Sequence, residues 1–239
     1  MANTSPATPG RGSALLAWLD ERLGLHAIWK TVFARPVPRT NWFYTLGSAT
    51  AVLALVQLIT GMLLTLYYVP TPDHAYDSIQ YIMNEVTFGW LIRGIHHWGA
   101  SLMVLVVFLH MLKSYLVGAY KYPREITWLT GAALLIIVLV LGFSGYLLPW
   151  NQKAYWATSV GTNIIGVVPL VGPTLLRIAR GGEQIGAVTL ARFYGLHIWW
   201  MPIALFGLIG FHLYLVIKIG ITSPPERSER RATTGPSDE

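Results

Sequence analysis

The chain has 239 residues, 54% of them hydrophobic and 12% charged, with a mean hydropathy of +0.49, a formal charge of +6 and no cysteine. That apolar bulk marks a membrane protein in contact with lipid, and the missing cysteines exclude disulfides, iron-sulfur ligation by this chain and any thioether-linked cofactor. The basic residues are spread over several loops without interleaved aromatics, which excludes a nucleic-acid partner.

In chain order, residues 1–12 are small, polar and rich in Pro and Gly, and lack the pattern of a signal peptide, so they are expected to form a disordered start. Residues 13–34 alternate Leu16, Leu19, Leu23, Ile28 and Trp29 with Asp20, Glu21, Arg22 and Lys30, the pattern of an amphipathic helix on the membrane surface, with Ser13 able to cap it. A four-helix transmembrane domain is predicted over 40–222, with spans at 43–69, 95–117, 128–148 and 196–219. The connection 70–94 carries Asp73, Asp77 and Glu85, and the Gly- and Pro-rich connection 149–195 is expected to form short surface helices. Residues 223–239 form a polar tail, and the expected fold class is all-α.

Basic residues predict the orientation. Arg11, Arg22, Lys30, Arg35, Arg39, Lys113, Lys121, Arg124, Lys218, Arg227, Arg230 and Arg231 are twelve of the 17 and fall on one face; Arg93, Lys153, Arg177, Arg180 and Arg192 fall on the other. The positive-inside rule then puts both termini in the cytoplasm, His96 and His197 near the outer face, and His110 and His212 near the inner.

Those four histidines lie inside apolar runs, fourteen residues apart in the second span and fifteen apart in the fourth. Fourteen steps return to within roughly 40° of the start and fifteen overshoot by roughly 60°, so each pair lines one helix face about 21 Å apart in depth. Buried imidazoles need occupied ring nitrogens, and two bis-histidine haems, one above the other, satisfy all four. Filled axial positions leave no open site on the iron, which points to electron transfer. Gly47 and Gly61 in the first span, and Gly131 and Gly145 in the third, repeat the fourteen-residue interval and supply room for a flat macrocycle. Glycine is also common in membrane helices for packing alone. His26, His74 and His97 fall outside the pattern and are expected not to be ligands. Arg93, Lys113 and Arg124 flank the haem levels as candidate propionate partners, with interfacial snorkelling the other reading of Lys113. Trp42, Tyr67, Tyr68, Trp98, Trp128, Trp150, Trp199 and Trp200 read largely as interfacial belts.

The runs Phe88-Gly-Trp-Leu-Ile-Arg-Gly-Ile-His96, Gly145-Tyr-Leu-Leu-Pro-Trp-Asn-Gln152 and Thr189-Leu-Ala-Arg-Phe-Tyr-Gly-Leu-His197 resemble the N-terminal, four-helix half of cytochrome b from quinol-oxidising Rieske complexes. The fifteen-residue interval, Pro123-Arg-Glu-Ile-Thr-Trp128, Gln80-Tyr-Ile-Met83 and Gly220-Ile-Thr-Ser-Pro224 resemble most the shorter cytochrome b6 form, whose remaining helices belong to a separate subunit. The resemblance implies a low-potential haem b on His96 and His197 and a high-potential haem b on His110 and His212, both non-covalent. It implies Arg93 at a propionate of the outer haem, Lys113, Arg124 and Trp128 around the inner one, and a quinol-pocket wall containing Gly145, Tyr146, Pro149, Trp150 and Tyr155. The family's Pro-Glu-Trp-Tyr motif is absent from this chain and is expected on a partner subunit. Thr45 stands where photosynthetic cytochrome b6 has the cysteine for a covalent third haem, and Ile217 followed by Lys218 stands where the family has an arginine near the inner quinone.

Together these features predict the di-haem subunit of a bacterial quinol:cytochrome c oxidoreductase in the inner (plasma) membrane. It would carry electrons from an outer quinol-oxidation site to an inner quinone-reduction site with proton translocation. The expected partners are a Rieske iron-sulfur protein, a c-type cytochrome and a second copy of the complex. Rival readings are a photosynthetic b6f subunit, the di-haem b subunit of a hydrogenase or formate dehydrogenase, and a haem-free channel or transporter whose histidines relay protons.

Overall fold

A computed structural model describes residues 11–32 and 42–222. The tail expected at 223–239, most of the start expected at 1–12, and Arg35, Arg39, Arg227, Arg230 and Arg231 of the orientation argument lie outside the described residues. The chain divides into two compact units at Thr40. In the first, helices α1 (Arg11–Leu23) and α2 (Leu25–Val32) replace the single helix expected over 13–34. Gly24 separates them at φ +62°, a left-handed conformation that glycine adopts without strain. The Asp20 carbonyl accepts from its N–H at 2.7 Å. The first helix begins at Arg11, so Ser13 is an internal residue and not its cap, and Arg11 and Gly12 are helical rather than part of a disordered start. The carbonyls of its first turn need only N–H donors four residues further along, which Leu15 and Leu16 begin to supply. Leu15, Leu16, Trp18 and Trp29 are exposed in this unit.

The second unit holds four helical segments long and apolar enough to cross a membrane. A 3-10 turn (Trp42–Thr45) leads into α3 (Leu46–Thr65), followed by α5 (Gly89–Leu116) and α6 (Glu125–Leu147). The fourth segment is a rod made of α9 (Ala187–Gly195), a π turn (Leu196–Trp200) and α10 (Met201–Ile219). It starts nine residues before the predicted position, because Arg192 and Gly195 lower the hydropathy without breaking the helix. Arg192 reaches back to donate to the Ile178 carbonyl at 2.6 Å. Between α3 and α5, α4 (Ala75–Asn84) occupies a stretch read from sequence only as an acidic connection. Its buried Ala75, Ser78 and Ile82 recur at helical spacing, a signal masked by polar neighbours. At Gly89 the α5 backbone passes so close to the Ile82 carbonyl that any Cβ would collide with it.

The long connection folds into α7 (Gln152–Gly166) and α8 (Gly172–Arg180), as its expected short helices. The Asn151 side chain caps α7 by accepting from the Ala154 N–H at 2.9 Å, and Gly181 closes α8 at φ +80°. Arg180 is buried among these elements. It donates to Thr162 Oγ1 and Asn163 Oδ1 at 2.8 Å each, and to the carbonyls of Ser159 and Glu183 at 3.2 Å each.

Two apolar clusters organise the helices. Ala54, Met103, Val138 and Leu205, one from each membrane-length segment, form the central layer. Ala75, Leu147, Leu190 and Phe193 form a second cluster with Tyr68, Phe143, Leu148 and Trp150 packed against it. The Tyr68 hydroxyl donates to the Leu148 carbonyl at 2.7 Å.

Candidate cofactor sites: two levels of paired histidines

Each of the four glycines at fourteen-residue spacing faces one of the four histidines. A Cβ built on Gly61 would lie 3.2 Å from His96 Cε1, and one on Gly145 would lie 2.6 Å from His197 Cε1. The corresponding distances are 3.0 Å from Gly47 to His110 and 3.3 Å from Gly131 to His212. The glycines thus lie directly against the imidazole rings, a closer contact than the room for a macrocycle read from the sequence; at Gly145 a Cβ could not be placed without displacing the ring, while at the other three a small shift would admit one. The pairings also fix direction: α3 runs antiparallel to α5, and α6 antiparallel to α10. Gly61, His96, Gly145 and His197 make one level, and Gly47, His110, Gly131 and His212 make the other. The cluster of Ala54, Met103, Val138 and Leu205 lies midway between them along every helix.

At the first level the His96 and His197 ring centres are 6.3 Å apart, with planes at 81°. Two imidazoles bonded at about 2 Å to opposite sides of one metal ion have ring centres about 6 Å apart, so this spacing fits a shared axial pair. His110 and His212 lie within electrostatic reach of each other at the second level.

The residue before three of the four glycines carries a hydroxyl that meets the same histidine. Thr60 Oγ1 lies 2.9 Å from His96 Nδ1, Thr130 Oγ1 2.9 Å from His212 Nδ1, and Ser144 Oγ 3.2 Å from His197 Nδ1. Each hydroxyl gives its one proton to a carbonyl of its own helix: Thr60 to Val56 at 2.6 Å, Thr130 to Thr127 at 2.9 Å, and Ser144 to Leu141 at 3.2 Å. The oxygen is then left to accept from Nδ1–H. That arrangement selects the tautomer whose Nε2 lone pair is free to bind a metal. These hydroxyls were missed in the sequence, where Thr60-Gly61, Thr130-Gly131 and Ser144-Gly145 were the available signal.

The π turn explains the unequal intervals. His197 lies within it, and the Met201 N–H reaches the Leu196 carbonyl five residues back. A π turn takes up one residue more than an α turn, so fifteen residues containing one cover the same rotation as about fourteen in a regular helix. His197 and His212 thus share a face as closely as His96 and His110 do, without the overshoot expected for an unbroken helix.

The sequence pattern of the family described as cytochrome b/b6/petB matches residues 33–220. This chain belongs to the cytochrome b/b6 family. The cytochrome b subunit of a menaquinol:cytochrome c reductase from Geobacillus thermodenitrificans is 42% identical over 219 residues, covering 88% of this chain and 98% of that protein. Cytochrome b6 of Synechococcus elongatus is 45% identical over 208 residues, covering 87% and 97%. A chain of a solved hyperthermophilic respiratory Complex III superposes with a TM-score of 0.82 at 37% identity, covering 92% of this chain and 59% of that one. Cytochromes b of this family bind haem b, which fits the ring spacing of His96 and His197, the glycine against each of the four rings and the hydroxyls on Nδ1 of His96, His197 and His212.

Other site residues expected for this cytochrome b have partners within the protein. Arg93 donates to Met83 Sδ at 3.5 Å, and the Lys113 ammonium lies 3.4 Å from the centre of the Tyr44 ring. Arg124 donates from Nε to the Gly220 carbonyl at 3.2 Å and holds the end of α10. Trp128 packs on Tyr115 and Tyr120 with ring centres 6.2 and 6.0 Å away. Thr45 donates to the Trp42 carbonyl at 2.6 Å, and Lys218 lies 5.8 Å from the Tyr214 ring centre. Of the expected quinol-pocket wall, Gly145 meets His197, Trp150 packs into the second cluster at φ +49°, Tyr146 is exposed, Pro149 is half-buried, and Tyr155 contacts Trp156. Two cavities are lined by Leu63, Tyr67, Ile82, Val86 and Ile92, and by Tyr67, His74, Asp77 and Tyr81; none of the five wall residues lines either. Trp42, Tyr67, Trp98, Trp199 and Trp200 are exposed as expected for belts, whereas Tyr68, Trp128 and Trp150 are half-buried. His26, His74 and His97 are exposed and take no part in either level.

Proposed function

We propose that this cytochrome b is the di-haem subunit of a quinol:cytochrome c oxidoreductase, with haem b held by His96 and His197 near the outer face and by His110 and His212 near the inner. The observation that carries this reading is the pairing of four imidazoles at two depths, with a glycine against every ring and a hydroxyl on Nδ1 that leaves Nε2 unprotonated at three of them. When bound, such haems pass single electrons across the membrane, from quinol oxidised outside to quinone reduced inside. His96 with His197, and His110 with His212, would each hold a haem through two imidazoles, which would favour electron transfer over oxygen binding. Ala54, Met103, Val138 and Leu205 exclude water between the levels, which supports separate cofactors and opposes a proton relay along the histidines.

The basic loops support cytoplasmic termini in a plasma membrane, and the resemblance supports Arg93, Lys113, Arg124 and Trp128 as residues around the haem edges. The quinol pocket, for which the resemblance supports a wall of Gly145, Tyr146, Pro149, Trp150 and Tyr155, would be completed by the subunit carrying the remaining cytochrome b helices. A Rieske protein, a c-type cytochrome and a second complex complete the proposed assembly. Thr45, with its hydroxyl on the Trp42 carbonyl, offers no thiol for a covalent haem and favours this reading over a photosynthetic b6f subunit.

Affinity purification of the tagged chain from its own membranes in mild detergent tests the proposal. The expected preparation contains a Rieske protein and reduces cytochrome c with quinol as donor. Haem reduction by hydrogen or formate but not by quinol would overturn it.

A further inference from the structure

The hydrogen bonds to the histidine rings are distributed unequally between the two levels. At the level of His96 and His197 both rings are bonded: His96 to Thr60 Oγ1 at 2.9 Å, and His197 to Ser144 Oγ at 3.2 Å and the Leu141 carbonyl at 3.1 Å. At the other level His212 meets Thr130 Oγ1 at 2.9 Å. Gly47 is preceded instead by Leu46, and among the described residues no acceptor takes a hydrogen bond from the His110 ring.

An Nδ1–H bonded to a good acceptor gives the imidazole anionic character and makes Nε2 a stronger donor to a metal. Stronger donation favours the more positive, oxidised iron and lowers its reduction potential. Lys113 works in the same direction from the other side: its charge acts on His110 and favours the extra electron there.

Resting on the di-haem reading above, we infer that Thr60 and Ser144 are positioning residues that hold the haem of His96 and His197 at the lower potential. The absence of a hydroxyl at Leu46 leaves the haem of His110 and His212 at the higher one. The potential difference between the levels thus follows from two bonded rings at one level, through Thr60 and Ser144, against one at the other, where Leu46 stands in place of a second hydroxyl. None of these residues binds a metal; each acts through the ring it orients.

Redox titration of the α-band absorbance of the intact purified complex tests this, with haem per chain counted as the pyridine haemochrome. Thr60→Val is expected to raise the lower-potential component by roughly tenfold in its reduction equilibrium, about 59 mV for one electron, without moving the higher. Thr60→Ser keeps the oxygen and should titrate as wild type. Ser144→Ala should give a smaller rise, because the Leu141 carbonyl still accepts from His197. Thr130→Val should raise the higher component, and Leu46→Thr should lower it. If Thr60→Val loses its haem, Leu46→Thr and Thr60→Ser carry the test: an unmoved higher component in the first, or a shifted lower component in the second, overturns the inference. Two haems whose potentials ignore every hydroxyl change overturn this inference alone. Fewer than two haems in the wild type overturn the di-haem reading as well.

Discussion

At Gly145 a single methyl group separates a working site from a blocked one, since its Cβ would lie 2.6 Å from His197 Cε1 and 3.1 Å from both ring nitrogens. At Gly131 the nearest approach to His212 is 3.3 Å, and a few tenths of an ångström of ring movement would relieve it. Gly145→Ala is therefore expected to lower the haem content from two per chain to one, while Gly131→Ala retains both; the pyridine haemochrome reads the difference directly. The histidines and glycines were legible in the sequence because integral helical intervals survive without coordinates. The hydroxyls were not, since Thr and Ser in apolar helices usually bond only their own backbone. Thr60, Thr130 and Ser144 do that as well, and their second bond, to an imidazole, depends on a neighbouring helix. Arg93 and Arg124 illustrate the opposite case: their charge drew attention to the haem edges, yet here they bond Met83 and the end of α10.

At the scale of elements, the π turn over Leu196–Trp200 is the feature that a count of intervals cannot show. If it absorbs the fifteenth residue, deleting Ile198 should convert it to a regular turn and preserve both haems. Inserting one alanine after Ile203 should rotate His197 by about 100° relative to His212 and abolish at least one haem. Loss of both haems in the deletion variant would contradict this role. The α7–α9 connection depends on Arg180, whose guanidinium is buried with only neutral acceptors. Arg180→Leu leaves those acceptors unpaired and is expected to destabilise the folded protein by about 3 kcal/mol, read as a lower Tm in detergent. The short helices there were legible in outline from Pro and Gly punctuation. Helix α4 was not, because its apolar positions are spaced among Asp73, Asp77 and Glu85.

For the whole molecule, a layer of Ala54, Met103, Val138 and Leu205 divides the membrane-length helices into two halves, each with its own histidine pair. The layer was present in the sequence as the midpoint of every fourteen- or fifteen-residue interval, but only packing reveals that the four residues touch. It makes the two levels separate sites in one bundle, the arrangement expected if electrons cross the membrane while water and protons do not follow the same path. The cytochrome b/b6 relatives from Geobacillus and Synechococcus are covered almost end to end by this chain, whereas the Complex III chain is covered over 59% of its length. A partner supplying further helices belongs to the proposed function, whereas all four paired histidines lie within this chain. Haem stoichiometry combined with carbon monoxide reactivity tests the paired-histidine sites directly. Two b haems per chain, both low-spin and unreactive towards carbon monoxide, are predicted. A single haem, none, or a high-spin haem that binds carbon monoxide would contradict this prediction.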